Sequence, residues 1–276
     1  MAERLDGGVT APVGPSRRDY LREHLREVPA FRALVRSVEC RLFERAAPFE
    51  WPVLDVGCGD GHFAATAFDR PLSVGIEPDA RLLPEARRRG GHLRVVRASA
   101  TAVPFADSVF KTVVANCVVE HIPDLDATLR EVRRVLAPGG RFLFGVPSQH
   151  FGPMLLGSTL LAAAGLEGAA RAYGDWFNRH SLHFHTYDPP AWHARLAAHG
   201  FRVRAWEYYV SSAAHRAFDL AHYLGVPNLV ARRLTGRWVV PPITLAARLY
   251  ERWLRPFCDE PPPAEGAYIF FDTTTV

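Results

Sequence analysis

The stretch LDVGCGDGHF, residues 54–63, decides how this chain folds. Aliphatic residues and one acid lead directly into three glycines spaced two residues apart, Gly57, Gly59 and Gly61. A strand that ends in a glycine-rich turn and opens a helix presents free backbone N–H groups to a ligand, and glycine is required where the ligand touches the chain. The stretch therefore predicts a strand, a turn and a helix, with a nucleotide-like cofactor at the turn.

The spacing of the glycines argues against a nicotinamide dinucleotide as that cofactor. The dinucleotide fingerprint G-x-G-x-x-G would require glycine at position 62. His62 stands there, and the third glycine falls one residue earlier, at Gly61.

Strand-like runs and helical segments alternate on both sides of this turn. Short aliphatic runs occur at PVLDVG (52–57), LSVGIE (72–77), HLRVVR (92–97), KTVVAN (111–116) and RFLFGV (141–146). A helix closed by Gly200 leads into a sixth run, and AYIFFDTTTV (267–276) supplies a seventh. Nearly continuous hydrophobic strands separated by helices indicate a sheet that is covered on both faces. We expect an α/β fold with a doubly wound, mostly parallel, seven-stranded sheet.

Two long segments interrupt this regular alternation, and we call residues 148–190 the first insertion and residues 212–264 the second insertion. Ligands of open α/β folds bind outside the carboxyl ends of the strands, so we expect both insertions to form helical caps there. The predicted organisation is a disordered lead-in with N-terminal helices (1–50), the core (51–147), the first insertion (148–190), a core helix and sixth strand (191–211), the second insertion (212–264) and the last strand (265–276).

Composition argues against several classes of protein. The net charge of +4 comes from arginines that are scattered among glutamates, which is unlike a nucleic-acid footprint. No signal core precedes Tyr20, and the apolar stretch from Met154 is too short and too interrupted to span a bilayer. The cysteines show no C-x-x-C pairing, which predicts neither a zinc site nor a disulfide framework and fits a reducing cytoplasm.

Three motifs together give the chain a family resemblance. VLDVGCGDGHF resembles the first motif of class I S-adenosylmethionine (SAM) dependent methyltransferases, and GIEPD (75–79) carries an acid about 20 residues past the turn, as ribose recognition requires. Residues 102–148 are similar, nearly end to end, to the small-molecule branch related to ubiquinone and menaquinone methyltransferases. The resemblance is strong over residues 51–147 and weak over 185–210. It implies a Rossmann-like methyltransferase fold, SAM as cofactor and S-adenosylhomocysteine as product.

The resemblance also assigns cofactor contacts. The three glycines would approach the methionine and ribose part, Asp55 would order the amino group or only the turn, and Glu77 would hold the ribose. Asn116 would face the methionine moiety. The full set of expected contacts is Asp55, Gly57, Cys58, Gly59, Gly61, Glu77, Pro78, Ser99, Ala100 and Asn116.

This sequence departs from the family at the adenine contact. An acid usually stands where this chain has Ser99, and a serine hydroxyl forms only a neutral hydrogen bond. We therefore expect adenine recognition to rely on the backbone of Ala100. Cys58 is expected to be a small buried residue and not a nucleophile.

Histidines supply the candidates for catalysis. Methyl transfer needs a general base only when the acceptor must lose a proton, as a phenol or alcohol does, and histidine suits that task. His121 follows the fourth strand, where its alternative role is to pack or cap the next helix, and His150 follows the fifth. His183 and His185 belong to the cluster NRHSLHFHTYDPPAW (178–192), for which a structural or pocket-lining role is the alternative. Because no cysteine or second acid stands nearby, we expect no metal site there.

These patterns predict a SAM-dependent methyltransferase that acts on a hydrophobic or aromatic small molecule, with oxygen as the acceptor. The aromatic and apolar content of the insertions is typical of a small-molecule pocket, or of a helical core. Arginine mixed with Trp, Leu and Tyr in the second insertion leaves open an interfacial helix that touches lipid. The alternatives are a SAM-binding enzyme that catalyses a cyclisation or rearrangement, and a non-catalytic SAM-sensing module. We expect no nucleic-acid partner and no integral membrane association.

Overall fold

The computed structural model describes residues 16, 18–236, 238, 239 and 244–276, with the side chains of 244–246 outside the description. The lead-in expected at the start of the chain lies mostly outside these residues. Among the described residues, no helix combines the length and the apolar character that crossing a bilayer would need.

One seven-stranded sheet forms the centre of the fold, in the order β3-β2-β1-β4-β5-β7-β6. All neighbours pair in parallel except β7, which runs antiparallel to both β5 and β6. The strands are β1 (Val53–Val56), β2 (Leu72–Glu77), β3 (His92–Arg97), β4 (Phe110–Asn116), β5 (Leu136–Pro147), β6 (Phe201–Tyr209) and β7 (Tyr268–Thr275). The predicted mostly parallel Rossmann-like methyltransferase fold is confirmed.

Helices cover both faces of the sheet. They are α1 (Tyr20–Leu25), α2 (Ala30–Ala46), α3 (His62–Ala67), α4 (Leu83–Arg89), α5 (Leu125–Val135), α6 (Leu156–Ala163), α7 (Glu167–His180), α8 (Pro189–Ala198), α9 (Ser212–Leu224), α10 (Val226–Thr235) and α11 (Thr244–Cys258). Local sequence fixes their starts: the carboxylates of Asp124 and Asp188 accept from Ala127 N and Ala191 N at the first turns of α5 and α8.

The two faces carry different cores. On one face, α5 and α8 pack on alternate strand residues such as Leu54, Phe142 and Phe144. On the other, residues of α2 and of both insertions share one cluster with Val53 and Leu143. Period-two alternation along β1 and β5 sends successive side chains to opposite faces, so the insertions and the N-terminal helices form one layer.

Candidate active site

The three glycines of the turn after β1 all adopt left-handed backbone conformations, with φ of +73°, +56° and +76° at Gly57, Gly59 and Gly61. Their surroundings differ. A Cβ on Gly57 would lie 2.5 Å from Val118, and one on Gly61 would lie 2.9 Å from the Ala86 backbone in α4. A Cβ on Gly59 would meet no heavy atom within 4 Å. Packing therefore excludes side chains at two positions, and only the middle glycine faces open space.

A cavity of about 270 Å³ lies beside this turn. It is built from the carboxyl end of β1, the turn, the start of α4, the end of β4, helix α2 and the second insertion. Its lining residues are Val28, Arg32, Arg36, Asp55, Gly57, Cys58, Gly59, Asp60, His62, Phe63, Leu82, Asn116, Arg232 and Trp238. Five of the predicted cofactor contacts therefore line the cavity, namely Asp55, Gly57, Cys58, Gly59 and Asn116. Gly61 does not line it.

The two acids that precede and follow the turn are both buried and both engaged. Asp55 Oδ2 lies 2.8 Å from His92 Nε2 in β3. Glu77 accepts from Gly59 N at 3.1 Å and from Asp79 N at 2.9 Å, one bond to each carboxylate oxygen. Each of these oxygens keeps a further acceptor site, so Glu77 can hold the turn and still accept from ribose hydroxyls.

A buried carboxylate from α2 organises the end of β4. Glu39 is fully buried and accepts from Arg36 Nη1 at 2.9 Å and from Asn116 Nδ2 at 2.7 Å. Its other oxygen accepts from Cys117 Sγ at 2.9 Å and from Tyr209 Oη at 3.1 Å. Four donors, one of them a guanidinium, compensate the cost of burying this charge.

This network leaves one acceptor of Asn116, a residue that lines the cavity, without a donor. Asn116 Oδ1 is buried without a hydrogen-bond partner among the described residues, while its Nδ2 is held by Glu39. A buried amide oxygen without a donor is costly, so the site suits a ligand that brings an N–H group. An ammonium such as that of the SAM methionine part meets this need.

Arginines give the opposite wall of the cavity a positive character. Arg36 is paired with Glu39, whereas the guanidiniums of Arg32 and Arg232 both lie over the ring of Trp238, at 4.9 Å and 4.3 Å from its centroid. Burial, followed by repulsion from Arg36, lowers the pKa of Arg32 to about 10. A carboxylate in the cavity would relieve this repulsion, which also fits the SAM methionine part.

The remaining predicted contacts are distributed unevenly. Burial raises the pKa of the Cys58 thiol, as an inert structural cysteine requires. Pro78 and Ser99 are exposed and Ala100 is buried, and none of the three lines the cavity. The Ser99 hydroxyl bonds with Thr101 Oγ1 at 2.8 Å, so the adenine contacts stay a prediction.

Two of the four predicted catalytic histidines lie together. A 3₁₀ turn (Val119–His121) follows β4, and the loop after α7 packs onto it through a bond from Phe184 N to Glu120 O of 2.8 Å. The rings of His121 and His183 are 5.4 Å apart, with Glu120 beneath them. Burial lowers the pKa of His121, and it lowers that of His183 to about 3, so both rings are neutral bases at neutral pH.

The other two histidines are separated from this pair by their contacts. His185 is buried, with Nε2 on Ile122 O at 2.8 Å and Nδ1 on Tyr187 Oη at 3.1 Å, so both ring nitrogens already serve the fold. His150 lies at the end of β5, where Nε2 bonds Gln149 at 2.9 Å and its ring packs near Tyr208. The geometry therefore favours His121 over His185 as a base.

Sequence reasoning missed the contribution of α2. Arg32, Arg36 and Glu39 are spaced i, i+4 and i+7, which places three charges on one face of α2, with Arg32 exposed, Arg36 half-buried and Glu39 buried. Glu39 is a readable signal, because an acid among the buried positions of a helix needs partners. His92 and Trp238 gave no comparable signal, since their contacts are long-range.

A Rossmann-like sheet, a glycine turn that opens onto a cavity and a buried acid after β2 define a class I SAM-binding domain. Residues 54–144 match the family described as a methyltransferase domain. This part of the chain is a class I SAM-dependent methyltransferase domain, and SAM is the cofactor of that class. Both predictions are confirmed.

Relatives and solved structures show the same pattern. An uncharacterized methyltransferase of Mycobacterium sp. (strain JLS) is 45% identical over 91 residues, covering 32% of this chain and 35% of the relative. The ubiquinone/menaquinone biosynthesis C-methyltransferase UbiE of Rubrivivax gelatinosus is 34% identical over 107 residues, covering 37% and 42%. The chain thus spans less than half of the length of either relative.

The solved geranyl diphosphate C-methyltransferase of Streptomyces coelicolor A3(2), in complex with Mg²⁺, geranyl diphosphate and S-adenosylhomocysteine, superposes with a TM-score of 0.55. It is 14% identical to this chain, and the match covers 96% of this chain and 90% of that one. At this identity the likeness shows the fold alone.

Proposed function

We propose that this protein transfers the methyl group of SAM to a hydrophobic or aromatic small molecule, with oxygen as the acceptor, in a cytoplasmic pathway of secondary or lipid-like metabolism. The observation that carries the proposal is the cavity at the glycine turn. Its lining includes Asn116, whose buried Oδ1 has no donor among the described residues, and the arginines Arg32, Arg36 and Arg232. We propose no nucleic-acid partner.

Each part of the cavity has a task in this proposal. Bound SAM would supply an electrophilic methyl group on a sulfonium. In this proposal Asn116 accepts from the ammonium of the methionine part, and Arg32 and Arg232 attract its carboxylate. Glu77, which does not line the cavity but holds Gly59 of its wall, would accept from the ribose hydroxyls. Holding these groups fixes the sulfonium relative to the acceptor, and positioning of this kind supplies much of the rate of a displacement reaction.

His121 is the proposed base for an oxygen acceptor. Its Nδ1 donates to Leu182 O at 3.1 Å, which leaves Nε2 as an unprotonated acceptor. The side chain is 41% exposed, so an incoming hydroxyl can reach it. A neutral imidazole that accepts the proton of a phenol or alcohol makes the oxygen nucleophilic as the methyl group is transferred.

Apolar residues of the second insertion near the cavity support a hydrophobic substrate, whereas Phe151, Phe177 and Phe218 belong to the buried core and do not bear on it. Trp238 lines the cavity, and α10, which has no buried side chain, exposes Leu229 and Leu234 beside Arg232. We propose that this helix contacts the apolar substrate, or a lipid surface from which the substrate is drawn.

Binding of SAM is the first test. Calorimetry with SAM and S-adenosylhomocysteine should show binding by the wild type and a loss of roughly 1.5 to 3 kcal/mol in Glu77→Ala, because hydrogen bonds to a charged group disappear. Glu85→Ala, on the exposed face of α4, is the matched control and should bind as the wild type does. If the wild type binds neither SAM nor S-adenosylhomocysteine, the proposed function is wrong.

Label transfer is the second test. SAM with a deuterated methyl group is incubated with the protein and panels of phenols, hydroxy acids and prenyl alcohols, and products are analysed by mass spectrometry. A product that carries the intact label on oxygen supports the proposal. Label on carbon would overturn the choice of acceptor, and a changed product without label would favour the cyclisation or rearrangement alternative.

A further inference from the structure

A second cluster lies at the end of β4, beyond the residues that line the cofactor cavity. One ligand atom from each of Glu120, His121 and His183 lies within 4.8 Å of the other two. Two of them come from the 3₁₀ turn after β4, and His183 comes from the first insertion. The loop that carries His183 is fixed to the turn by the bond from Phe184 N to Glu120 O.

The hydrogen bonds of the two histidines orient their free nitrogens. His121 Nδ1 donates to Leu182 O at 3.1 Å, and His183 Nδ1 donates to Asn178 Oδ1 at 3.1 Å. Both rings therefore keep the tautomer in which Nε2 carries a lone pair. Histidines that bind metals show this arrangement, with one nitrogen donating to a carbonyl or carboxamide oxygen and the other facing the ion.

The carboxylate completes the donor set. Glu120 is 1% exposed, and its Oε2 is buried without a hydrogen-bond partner among the described residues. Its Oε1 lies 3.6 Å from His121 Nε2, too far for a good hydrogen bond. The nearby guanidinium of Arg36 is paired with Glu39. A buried carboxylate oxygen without a donor is costly, and a cation held between Glu120 and the two histidines would compensate that cost.

We propose that Glu120, His121 and His183 bind one divalent metal ion of the zinc, cobalt or manganese class. Two imidazoles and one carboxylate form a donor set that such ions accept, and three protein ligands leave coordination positions open. The sequence analysis predicted no metal because no second acid stands near the histidine cluster in the chain. The fold supplies that acid from the turn after β4.

A bound ion would indicate the class of substrate for the proposed function. This part of the inference, unlike metal binding itself, rests on the proposed function. Asn116, which lines the cofactor cavity, is only four positions before Glu120 in the chain. A substrate with two neighbouring oxygens, such as a catechol or a hydroxy acid, could occupy the open positions. Coordination lowers the pKa of a bound hydroxyl, so in the metal-loaded protein the acceptor oxygen would lose its proton to solvent, and His121 would act as a ligand and not as the base.

Metal binding can be tested without SAM and without a substrate. Protein stripped with a chelator is titrated with Co²⁺ and with Zn²⁺, with visible absorption and calorimetry as the readouts. We expect one ion per chain and Co²⁺ bands of nitrogen and oxygen ligation. His183→Ala and Glu120→Gln should each weaken binding by about 100-fold or more, since loss of an outer partner alone costs 10- to 100-fold.

Matched variants separate ligation from general effects. His180→Ala removes an exposed histidine of the same helix end that stacks on Trp176, and it should bind metal as the wild type does. Asn178→Ala removes only the acceptor that orients His183 and should weaken binding by about 10- to 100-fold. Thermal unfolding of each variant shows whether it is folded, and His121→Ala, with its half-exposed side chain, serves if Glu120→Gln is not.

The outcomes are distinct from those of the proposed function. A wild type that binds no ion above the level of a triple variant lacking all three ligands would overturn the inference, as would equal binding by His183→Ala and His180→Ala. Binding of SAM by calorimetry should be unchanged within about threefold in His183→Ala. If the ion binds and SAM does not, the metal site stands and the methyltransferase proposal falls.

Discussion

The glycines of the turn illustrate how residues of one type answer different needs. Gly57 and Gly61 leave room for Val118 and for α4, whereas Gly59 borders open space beside the cavity. All three have positive φ, so any side chain also meets backbone strain. Substitution of each glycine can therefore distinguish the need for close packing from the need for access by a ligand.

Gly59→Ala and Gly61→Ala should fail in different ways. Both should lose about 1 to 2 kcal/mol of unfolding free energy from the left-handed backbone. Gly61→Ala should lose about 1 to 3 kcal/mol more, because its Cβ would press on Ala86. Compared with Gly61→Ala, Gly59→Ala should lose more SAM affinity for the same loss of unfolding free energy. Urea denaturation and calorimetry check this, and equal destabilisation by the two variants would contradict it.

The buried Glu39 network predicts a stability effect that can be measured without any ligand. Glu39→Gln removes the charge that Arg36 faces and replaces an acceptor by a donor, so we expect a loss of about 3 kcal/mol in unfolding free energy. Asp107→Asn breaks an exposed pair with Arg134, which keeps Glu131 as a partner, and should cost less than about 1 kcal/mol. Denaturant midpoints of the two variants give the comparison, and similar midpoints would argue that the Glu39 charge is dispensable.

At the scale of elements, a buried histidine is one of the residues that join the two insertions, beside Asp219 of α9, which accepts from Gly157 N and Tyr173 Oη. His215 in α9 is fully buried, and its Nε2 donates to Phe151 O of the first insertion at 3.0 Å. Its ring packs between Phe151 and Phe218, with centroids 4.6 Å and 5.1 Å away. Burial lowers the pKa of His215 to about 3, so the ring is neutral in the folded protein.

This burial predicts a defined dependence of stability on pH. Between about pH 6.5 and pH 3 the unfolded chain binds a proton at position 215 that the folded chain does not. The contribution is therefore present above pH 6.5 and is lost as the pH falls, by up to about 1.4 kcal/mol per unit. His215→Gln keeps a donor for Phe151 O and should unfold with a shallower acid slope.

The measurement is the urea midpoint at several pH values between 5 and 7.5. His180→Gln removes an exposed histidine and should keep the slope of the wild type. Parallel slopes for all three proteins would mean that His215 is not the group that links the insertions to acid stability.

The sequence predicted elements better than contacts between elements. The strands were readable because their hydrophobic runs and the glycine turn are local signals, and the cofactor turn came with them. The partners of Asp55 and Glu120 were not readable, since His92 and His183 reach these acids only through the packing of β2 against β3 and of the first insertion against the turn after β4. Pro78 and Ser99 were placed by resemblance alone and do not line the cavity.

At the scale of the whole molecule, stability should fall from the sheet to the second insertion. The central strands β1, β4 and β5 are largely buried, whereas no side chain of α10 is buried and Leu234 is 79% exposed. Helices with few buried contacts open locally at low free-energy cost. The arginine that faces the cavity, Arg232, lies on this weakly held helix.

The rate of hydrogen–deuterium exchange should therefore differ between α10 and the central strands. Without ligand, amides of α10 should exchange many times faster than those of β5. Saturating SAM should slow α10, because Arg232 and Trp238 border the cavity, and should leave α8 on the opposite face unchanged. Peptide-level mass spectrometry measures both, and protection of α10 that ignores SAM would separate this helix from the cofactor site.

The position of β7 has a consequence for how the molecule is made. It is the last strand in chain order, yet it lies between β5 and β6 and pairs with both. As the chain leaves the ribosome, β5 must keep one edge unpaired, and β6 must wait without a partner, while all of the second insertion is synthesised. An unpaired strand edge invites association with other chains. The strands β5 and β6 are therefore joined into one sheet only when the last strand arrives.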